Sequence, residues 1–394
     1  MRLLYFSFFL ITLQVCAQKP KEVLNWINTA PSENRNFYFE IPFTYRNDEI
    51  VIQVRIGNHT CDYIFDTGGY NNITDAIQEK NNFPILTRQT VGSSNKIKKE
   101  INIVKLDSLH IGPLTFHDLA ALQMNFDESP TIKCTIDGGL IGASIIKNYI
   151  WQIDYPRKKI IVTDQIGKIA NLQKAIKVPV TFNSRLMPYI EVRINGKKEK
   201  MMFDLGSSTL FSMTEKAAKK HDKENVYEII GGGTEGGNGT IKESIYVMNS
   251  GKLEIKNLYY SNKPILYTSS NNESLIGNPI IKDYIVTLNF KDDEMYFLPV
   301  ETADEGWMTY GFTLKYDNGK TKIATLLKGS EAEKAGLMID DVVEGINGKK
   351  IDCQDFCICK KTYNILLEGK NEIVISLNKD GKTQQIRLEK QKIF

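Results

Sequence analysis

The stretch DYIFDTGGYN (Asp62–Asn71) places a carboxylate directly after apolar residues that predict a buried strand. A buried carboxylate without a partner is costly, and aspartate is almost never fully buried alone. The stretch KMMFDLGSST (Lys200–Thr209) repeats the pattern of apolar residues, an aspartate, one further residue and a glycine. We therefore expect Asp66 and Asp204 to be partners in the folded chain.

The sequence around these two aspartates occurs twice. GLIGASIIKNYIWQIDY (Gly139–Tyr155) matches SLIGNPIIKDYIVTLNF (Ser274–Phe290), with Leu-Ile-Gly, Ile-Ile-Lys and Tyr-Ile in common. Upstream of each aspartate, the segment Ile41–Asn58 matches the segment Val178–Gly196. Two apolar segments and one carboxylate that recur in the same order indicate a duplicated half-domain. We call residues 38–165 the first repeat and residues 170–300 the second repeat.

Each repeat is predicted to be mostly β. Alternating apolar and polar residues from Ile50 to Ile56 indicate a strand, followed by a turn and a second strand that ends on the aspartate. A short helix is expected after each Asp-X-Gly, and a glycine-containing hairpin after each helix. The predicted turns are Gly57-Asn58 and Asn195-Gly196, the helices Thr74–Lys80 and Thr214–Asp222, and the hairpins Thr90–Lys98 and Gly231–Thr240.

The repeat pattern stops near Val300. A short acidic linker, Glu301–Met308, leads to a separate module at residues 309–392, which we call the C-terminal module. Within it we expect a helix from Cys353 to Leu367 and two strands on either side of Asp380-Gly381.

The N-terminus predicts export. Arg2, an apolar run from Leu3 to Val15 and a small-residue cleavage pattern are typical of a secretory signal peptide, so residues 1–17 are expected to be removed after Ala17. Lipid attachment at Cys16 is the alternative, but Val15 is a poor residue for that position. We expect a protein of the bacterial periplasm or a secreted protein. No later segment is long and apolar enough to predict a transmembrane helix.

Net charge argues against nucleic-acid binding, and the cysteine pattern argues against a metal site. The chain has 394 residues and a net charge of +3, which is too small to suggest a nucleic-acid partner. Cleavage after Ala17 leaves five cysteines, and disulfides are permissible after export although the odd count leaves one over. Cys353, Cys357 and Cys359 could suggest a metal site. Because no histidine or fourth ligand lies nearby, they are interpreted as cysteines packed in a helix, with no metal or cofactor expected.

Two carboxylates brought close together cannot both ionise easily, so they share a proton and can activate a water for amide hydrolysis. The segments Phe65–Gly68 and Phe203–Gly206 resemble the paired Asp-Thr/Ser-Gly motifs of pepsin-like and retroviral-type aspartic proteases. Leu140–Gly142 and Leu275–Gly277 are similar to the hydrophobic-hydrophobic-Gly element of that family. The resemblance spans residues 38–300 and looks closer to retroviral-type proteases fused in tandem.

This resemblance implies a bilobal acid-protease fold, one lobe per repeat, and an aspartic-type endopeptidase that acts on peptide or protein substrates. It also implies roles for individual residues and identifies the two glycine-containing hairpins as flaps. The implied residues are Asp66 and Asp204 as the catalytic pair, Thr67, Gly68 and Gly206 as its support, and Gly69 and Ser207 as substrate-binding positions.

Leu205 departs from the family pattern. The family carries a threonine or serine here, whose hydroxyl bonds across to the other lobe, and leucine has no hydroxyl. The alternative function is therefore a non-catalytic peptide-binding envelope protein with a degenerate pair of aspartates.

The C-terminal module resembles a PDZ domain of the bacterial envelope type, which implies a β-rich α+β fold. The run Gly329–Gly348 is similar to the family's Gly-Ser-x-Ala-x-x-Ala-Gly-Leu segment and the Ile-Asn-Gly that follows, with Asp340 where a glycine is usual. The resemblance implies that the loop formed by Tyr310, Gly311, Phe312 and Thr313 receives the C-terminal carboxylate of a peptide, which adds as a strand. A packing module without a ligand is the alternative.

Overall fold

The computed structural model describes residues 20–221, 226–301, 306–379 and 381–394. The predicted signal peptide with Cys16, the helix end at Asp222, residues 302–305 of the linker and the turn residue Asp380 lie outside these ranges. The structure is mainly β, as the sequence predicts. Within the four ranges, no helix is long and apolar enough to cross a membrane.

The first repeat is preceded by a helix, α1 (Pro20–Ile27), and contains eleven strands and three short helices. The strands are β1 (Tyr38–Pro42), β2 (Thr44–Arg46), β3 (Glu49–Ile56), β4 (His59–Phe65), β5 (Asn72–Thr74), β6 (Ile85–Gly92), β7 (Lys98–Ile111), β8 (Leu114–Met124), β9 (Gly139–Ile141), β10 (Ile150–Asp154) and β11 (Lys159–Thr163). The helices are α2 (Asp75–Asn81), α3 (Pro130–Thr135) and α4 (Ala143–Ile146), and 3₁₀ turns follow at Ile166–Lys168 and Leu172–Lys174.

The second repeat is also built mostly of strands. They are β12 (Ile176–Pro179), β13 (Thr181–Phe182), β14 (Pro188–Ile194), β15 (Lys197–Asp204), β16 (Phe211–Thr214), β17 (Val226–Ile230), β18 (Gly233–Gly236), β19 (Gly239–Lys242), β20 (Ile245–Asn249), β21 (Lys252–Ile255), β22 (Leu258–Ser261), β23 (Pro264–Thr268), β24 (Leu275–Gly277), β25 (Tyr284–Asn289) and β26 (Glu294–Pro299). Two helices, α5 (Glu215–Ala218) and α6 (Ile280–Asp283), and a 3₁₀ turn at Phe290–Asp292 complete it.

The strand that carries each aspartate has the same neighbours in both repeats. In the first repeat, β4 pairs in parallel with β9, which pairs antiparallel with β5, and β5 pairs in parallel with β8. In the second repeat, β15, β24, β16 and β23 pair in the same order and with the same directions. Each Asp-X-Gly segment therefore follows a strand that lies beside a Leu-Ile-Gly strand.

One feature of this arrangement differs from the sequence prediction. The expected helices after Asp-X-Gly are present as α2 and α5, but a short strand, β5 or β16, precedes each of them. These strands are held by pairing with the distant strands β8 and β23, so their formation depends on tertiary contacts rather than on local sequence.

A six-stranded antiparallel sheet joins the two repeats. Its order is β1-β11-β10-β25-β26-β12, so three strands come from each repeat, and the central pair is β10 with β25. Trp151 of β10 is fully buried in a hydrophobic core that also contains Phe65, Phe203 and Phe297. Because the largest core draws side chains from both repeats, the aspartate loops are held on a common support.

The C-terminal module has its own core and eight strands with two helices. The strands are β27 (Met308–Thr309), β28 (Phe312–Asp317), β29 (Lys320–Leu327), β30 (Val342–Ile346), β31 (Lys349–Lys350), β32 (Glu372–Lys379), β33 (Lys382–Glu389) and β34 (Gln391–Lys392), and the helices are α7 (Glu331–Lys334) and α8 (Phe356–Leu367). The predicted helix from Cys353 thus begins at Phe356.

The module is attached to both repeats. Strand β29 pairs antiparallel with β17 of the second repeat, with Ile229 opposite Leu327. Helix α8 lies against α3 of the first repeat, and a disulfide joins Cys357 of α8 to Cys134 of α3 with a Cα–Cα distance of 5.4 Å. The module therefore bridges the two repeats.

The interpretation of the C-terminal cysteines as helix-packing residues is wrong. Besides the Cys134–Cys357 disulfide, Cys353 pairs with Cys359, and Cys61 is a buried free cysteine. The spacing within the sequence could not reveal this, because Cys134 is brought to α8 by tertiary structure across a separation of 223 residues. In the part of the chain that the structure describes, no group of three or more His, Cys, Asp or Glu residues could hold a metal ion.

Candidate functional site

The loop that carries Asp66 is fixed by the strand beneath it. Strand β4 ends at Phe65, and the Asp66 backbone N–H donates to the Ile141 carbonyl at 2.9 Å. A Cβ placed on Gly142 would lie 2.3 Å from the backbone carbon of Tyr70. The glycine of Leu-Ile-Gly is therefore required, because the aspartate loop rests directly on its backbone.

The loop that carries Asp204 has the same support. The Gly277 N–H donates to the Leu210 carbonyl at 2.9 Å, and a Cβ on Gly277 would lie 2.1 Å from the Thr209 carbonyl oxygen. Strand β15 ends on Asp204 itself. The two carboxylates therefore occupy equivalent positions, each on a loop pressed against a Leu-Ile-Gly strand.

The two aspartates meet, and each lies under the glycine of the other loop. Their side chains are close enough for the charge of Asp204 to raise the pKa of Asp66. A Cβ on Gly68 would lie 2.3 Å from Asp204 Cγ, and a Cβ on Gly206 would lie 2.5 Å from Asp66 Cγ. The N–H groups of Gly68 and Gly206 donate to the Oδ1 atoms of Asp66 and Asp204 at 2.8 and 2.9 Å. We call this pair of aspartates the dyad.

Burial and mutual repulsion set the ionisation of the dyad. Only 6% of Asp66 and 9% of Asp204 are exposed. Burial, and next the negative charge of Asp204, raise the pKa of Asp66 well above its ordinary value. Burial also raises the pKa of Asp204, while hydrogen bonds from Asp66 and from the glycine N–H groups oppose that rise. Both pKa values are thus raised, and the favoured state is one in which the two carboxyls share a single proton.

Thr67 ties the two loops together, and Leu205 does not. The Thr67 hydroxyl donates to the Phe203 carbonyl at 2.6 Å and accepts from the Leu205 N–H at 2.9 Å. Leu205 is fully buried in the core shared by the two repeats. The cross-repeat hydroxyl expected at Thr67 is thus present, and its counterpart is replaced by an apolar core residue.

The predicted substrate-binding positions Gly69 and Ser207 are half-buried at the ends of these loops. The Gly69 carbonyl accepts from the Ala143 N–H at 3.0 Å, and the Ser207 carbonyl accepts from the Asn278 N–H at 2.8 Å. Both carbonyls are therefore engaged with the chain that follows the Leu-Ile-Gly strands.

The predicted hairpins are present, and their tips bind each other. The hairpin β6–β7 carries Asn95 at its tip, and its amide donates to the carbonyls of Thr234 and Gly239 at 2.8 Å each. The hairpin β18–β19 carries Asn238, whose amide donates to the carbonyls of Val91 and Ile97 at 2.9 and 3.0 Å. Both asparagines are buried. The two hairpins are thus joined by a reciprocal pair of asparagine side chains.

The sequence analysis did not identify these asparagines or two buried polar residues near the dyad. Glu49 is 8% exposed, and its pKa is raised by burial and next by the charges of Asp66 and Asp204. Asn278 is fully buried directly after Leu-Ile-Gly. A signal for Asn278 was available, because Ala143 occupies the matching position of the first repeat and the two repeats differ there.

The residues predicted to bind a peptide end lie at the start of β28. The Gly311 N–H donates to the Thr309 hydroxyl at 3.0 Å, and its carbonyl accepts from the Leu327 N–H at 2.8 Å. Tyr310 and Phe312 are buried in the module core, and Thr313 is exposed. Strand β28 pairs with β29 on one edge and has α8 nearby.

Comparisons with known proteins give little further information. No protein-family model matches the chain, and no curated protein matches it. Among solved structures, the crystal structure of basic 7S globulin from soybean matches 66% of this chain and 94% of that chain, with 11% sequence identity and a TM-score of 0.38. A likeness of that size assigns neither a fold nor an activity to this chain.

Proposed function

We propose that the chain is an exported aspartic-type endopeptidase with a bilobal acid-protease fold, one lobe per repeat. The observation that carries the proposal is the meeting of Asp66 and Asp204, two buried carboxyls contributed by separate repeats, each of which lies against the glycine of the other loop. Structural ion pairs are rarely made from two acids, because repulsion and burial both oppose their ionisation. Such a pair is suited to proton transfer.

The chemistry follows from the ionisation of the dyad. The ionised carboxylate of the dyad takes a proton from a water held between the two carboxyls, and that water attacks the carbonyl carbon of a peptide bond. The protonated carboxyl gives its proton to the carbonyl oxygen, so the intermediate is a neutral gem-diol. The carboxyl that took the proton from water then gives it to the amide nitrogen. As the C–N bond breaks, the other carboxylate takes a proton from a gem-diol hydroxyl, so that a carboxylic acid and an amine leave and the dyad again holds one shared proton.

The first test is the replacement of each aspartate. Because one shared proton serves both carboxyls, Asp66→Asn and Asp204→Asn should each reduce peptide hydrolysis by at least about a thousandfold. The measurement is a digest of a peptide library by the purified chain and by both variants. Thermal melts should show that both variants remain folded, since each substitution removes the repulsion between the two carboxyls. Hydrolysis retained by either folded variant would refute the mechanism.

A second candidate function is peptide binding without catalysis. The specific observations in its favour are the apolar Leu205, the joined hairpin tips and the largely buried dyad. Under this function the wild-type chain would bind extended peptides and release them intact. A digest that yields no cleaved peptide, together with measurable peptide binding, would favour this candidate over the peptidase.

We further propose that the C-terminal module is a PDZ-type domain that binds a peptide C-terminus at Tyr310–Thr313. Support comes from β28, which follows this loop and lies beside α8. A peptide with a free carboxylate should bind the Asp204→Asn variant at least about tenfold more tightly than its C-terminal amide, because the amide lacks the charge. Equal affinity measured by calorimetry would instead indicate a packing module.

A further inference from the structure

Asn278 is a buried amide at the junction between the two repeats. It directly follows Leu-Ile-Gly of the second repeat and has no exposed surface. The equivalent residue of the first repeat, Ala143, is buried among apolar side chains that include Met187 and Met202. The two junctions are therefore chemically different, one apolar and one polar.

The Asn278 side chain bonds to the first repeat. Its Oδ1 atom accepts from the Tyr45 hydroxyl at 2.8 Å, and its Nδ2 atom donates to the Asp48 carbonyl at 2.8 Å. Nδ2 also lies 3.3 Å from Glu49 Oε2 and 3.3 Å from the Leu205 carbonyl oxygen. One side chain of the second repeat thus contacts three residues of the first repeat and the Asp204 loop.

The contact with Leu205 acts on the dyad through a single peptide unit. The Leu205 carbonyl, which accepts from Asn278, belongs to the same planar peptide as the Gly206 N–H. That N–H donates to Asp204 Oδ1 at 2.9 Å and lowers the pKa of Asp204. Since a peptide plane turns as a unit, the position of the carbonyl sets the direction of the N–H.

Leu205 is consequently held at both ends by polar side chains. Thr67 of the first repeat accepts from its N–H, and Asn278 donates to its carbonyl. We propose that Asn278 is a positioning residue for the dyad, which ties the Asp204 loop to the first repeat where Leu205 supplies no cross-repeat hydroxyl. Its kinetic consequence rests on the proposed peptidase function, but its effect on the ionisation of the dyad does not.

The test is a carboxyl ¹³C NMR titration of the full chain labelled at aspartate Cγ. In Asn278→Ala, the Gly206 N–H is no longer held on Asp204, so the lower apparent pKa of the dyad should rise. Tyr45→Phe removes only the hydrogen bond that orients the Asn278 amide, so the same apparent pKa should rise by a smaller amount. If peptides are hydrolysed, kcat in Asn278→Ala should fall by up to about tenfold with little change in KM.

Asn271→Ala is the matched control. Asn271 lies in the same repeat, and its amide donates to the Met213 carbonyl and accepts from the Thr268 hydroxyl, both at 2.9 Å. Its removal costs hydrogen bonds within one repeat, and the titration of the dyad should stay as in the wild type. A shift of equal size in this variant would mean that general loosening, and not positioning, is being measured.

The outcomes separate this inference from the proposed function. An unchanged dyad titration in Tyr45→Phe and in folded Asn278→Ala overturns the inference, whether or not the chain hydrolyses peptides. If Asn278→Ala does not fold, the Tyr45→Phe titration alone decides, and no shift there overturns the inference. A shifted titration in a chain that hydrolyses no peptide supports positioning and rejects the peptidase function.

Discussion

Glu49 is a third buried carboxyl in the neighbourhood of the dyad. Burial raises its pKa well above the ordinary glutamate value, and the charges of Asp66, Asp204 and Asp48 raise it further, opposed by Lys360. A carboxyl whose pKa is raised by folding stabilises the protein when it is protonated. That contribution is complete below the ordinary pKa of 4.5 and is lost as the pH rises through the raised value.

Replacement of Glu49 should therefore flatten the pH dependence of stability. Asp66 and Asp204 have raised pKa values as well, so the wild type should lose thermal stability between about pH 4 and about pH 8. Glu49→Gln removes one of these three carboxyls, so its melting temperature should fall clearly less over the same interval. Melting temperatures across this range are the measurement.

Glu79→Gln serves as the control, because Glu79 is an exposed glutamate of the same repeat. The melting temperature of Glu79→Gln should change with pH as that of the wild type does. If the melting temperatures of Glu49→Gln and the wild type change equally with pH, burial does not destabilise the ionised form of Glu49.

For individual residues, the sequence predicted the pairing of the two aspartates but not the buried polar residues near them. Asp66 and Asp204 could be paired because two repeats of equal pattern place equivalent residues at a common junction. Glu49 could not be identified, since it follows Asp48 at a turn, where charged residues are usually exposed. In the folded chain its carboxyl accepts a hydrogen bond from Asn278, which belongs to the other repeat.

At the scale of elements, the two hairpins form one structure. Separation of their tips breaks the four hydrogen bonds made by Asn95 and Asn238. Because a net hydrogen bond contributes about 0.5–1.5 kcal/mol, these four bonds contribute a few kcal/mol to the joined state. Further bonds between each hairpin and the opposite repeat, such as that from the Ser129 hydroxyl to the Gly236 carbonyl, add to this contribution.

Removal of either asparagine should favour the separated state. In Asn95→Ala or Asn238→Ala, two hydrogen bonds are lost, and amide hydrogen exchange in β6, β18 and β19 should accelerate by roughly tenfold to a hundredfold. Mass-spectrometric hydrogen exchange on the full chain measures this without reference to activity.

The control variant is Asn102→Ala, on β7 of the same hairpin. Its amide donates to the Gln123 side chain at 3.0 Å, within the first repeat. In Asn102→Ala, hydrogen exchange in β18 and β19 should stay at the wild-type rate. If both tip variants also exchange at that rate, the asparagine contacts do not hold the hairpins together.

The positions of most elements followed from local sequence, and their partners did not. Alternating residues and Gly-Asn or Asn-Gly turns predicted the strands on both sides of each turn, because these patterns have direct backbone consequences. The pairing of Asn95 with the second hairpin had no local signal. Asparagine is common in turns of every kind, and only the fold places the two tips together.

At the scale of the whole molecule, the C-terminal module limits the movement of the repeats. It is paired through its backbone with the second repeat and joined by a disulfide to the first. In addition, Trp307 before the module packs against Tyr227 of β17, with ring centroids 6.2 Å apart. Opening of the hairpins is therefore expected to occur without large separation of the repeats.

The long-range disulfide should contribute most to stability. The Cys134–Cys357 bond closes a separation of 223 residues, and Cys353–Cys359 closes one of 6 residues. Since cross-linking restricts the unfolded chain more when the closed loop is longer, Cys134→Ser/Cys357→Ser should lose about 2–5 kcal/mol of unfolding free energy. Cys353→Ser/Cys359→Ser is the matched control and should lose less. Denaturant unfolding of both double variants measures the difference, and the reverse order would contradict this account.

The sequence predicted two repeats and a following module because each has its own internal pattern. It did not predict how the module is attached. Strand β17 has no feature that marks β29 as its neighbour, and the pairing of Ile229 with Leu327 joins edges that the local sequence leaves unassigned. Contacts between segments far apart in the chain depend on the assembled shape, which short patterns do not encode.

The Cys134–Cys357 disulfide also determines which products a backbone cut leaves. Residues 134 and 357 enclose the whole second repeat and the linker. A single cut of the backbone between them leaves two fragments that are still covalently connected. Such a nicked molecule keeps its full mass on a non-reducing gel and separates into two bands only after reduction.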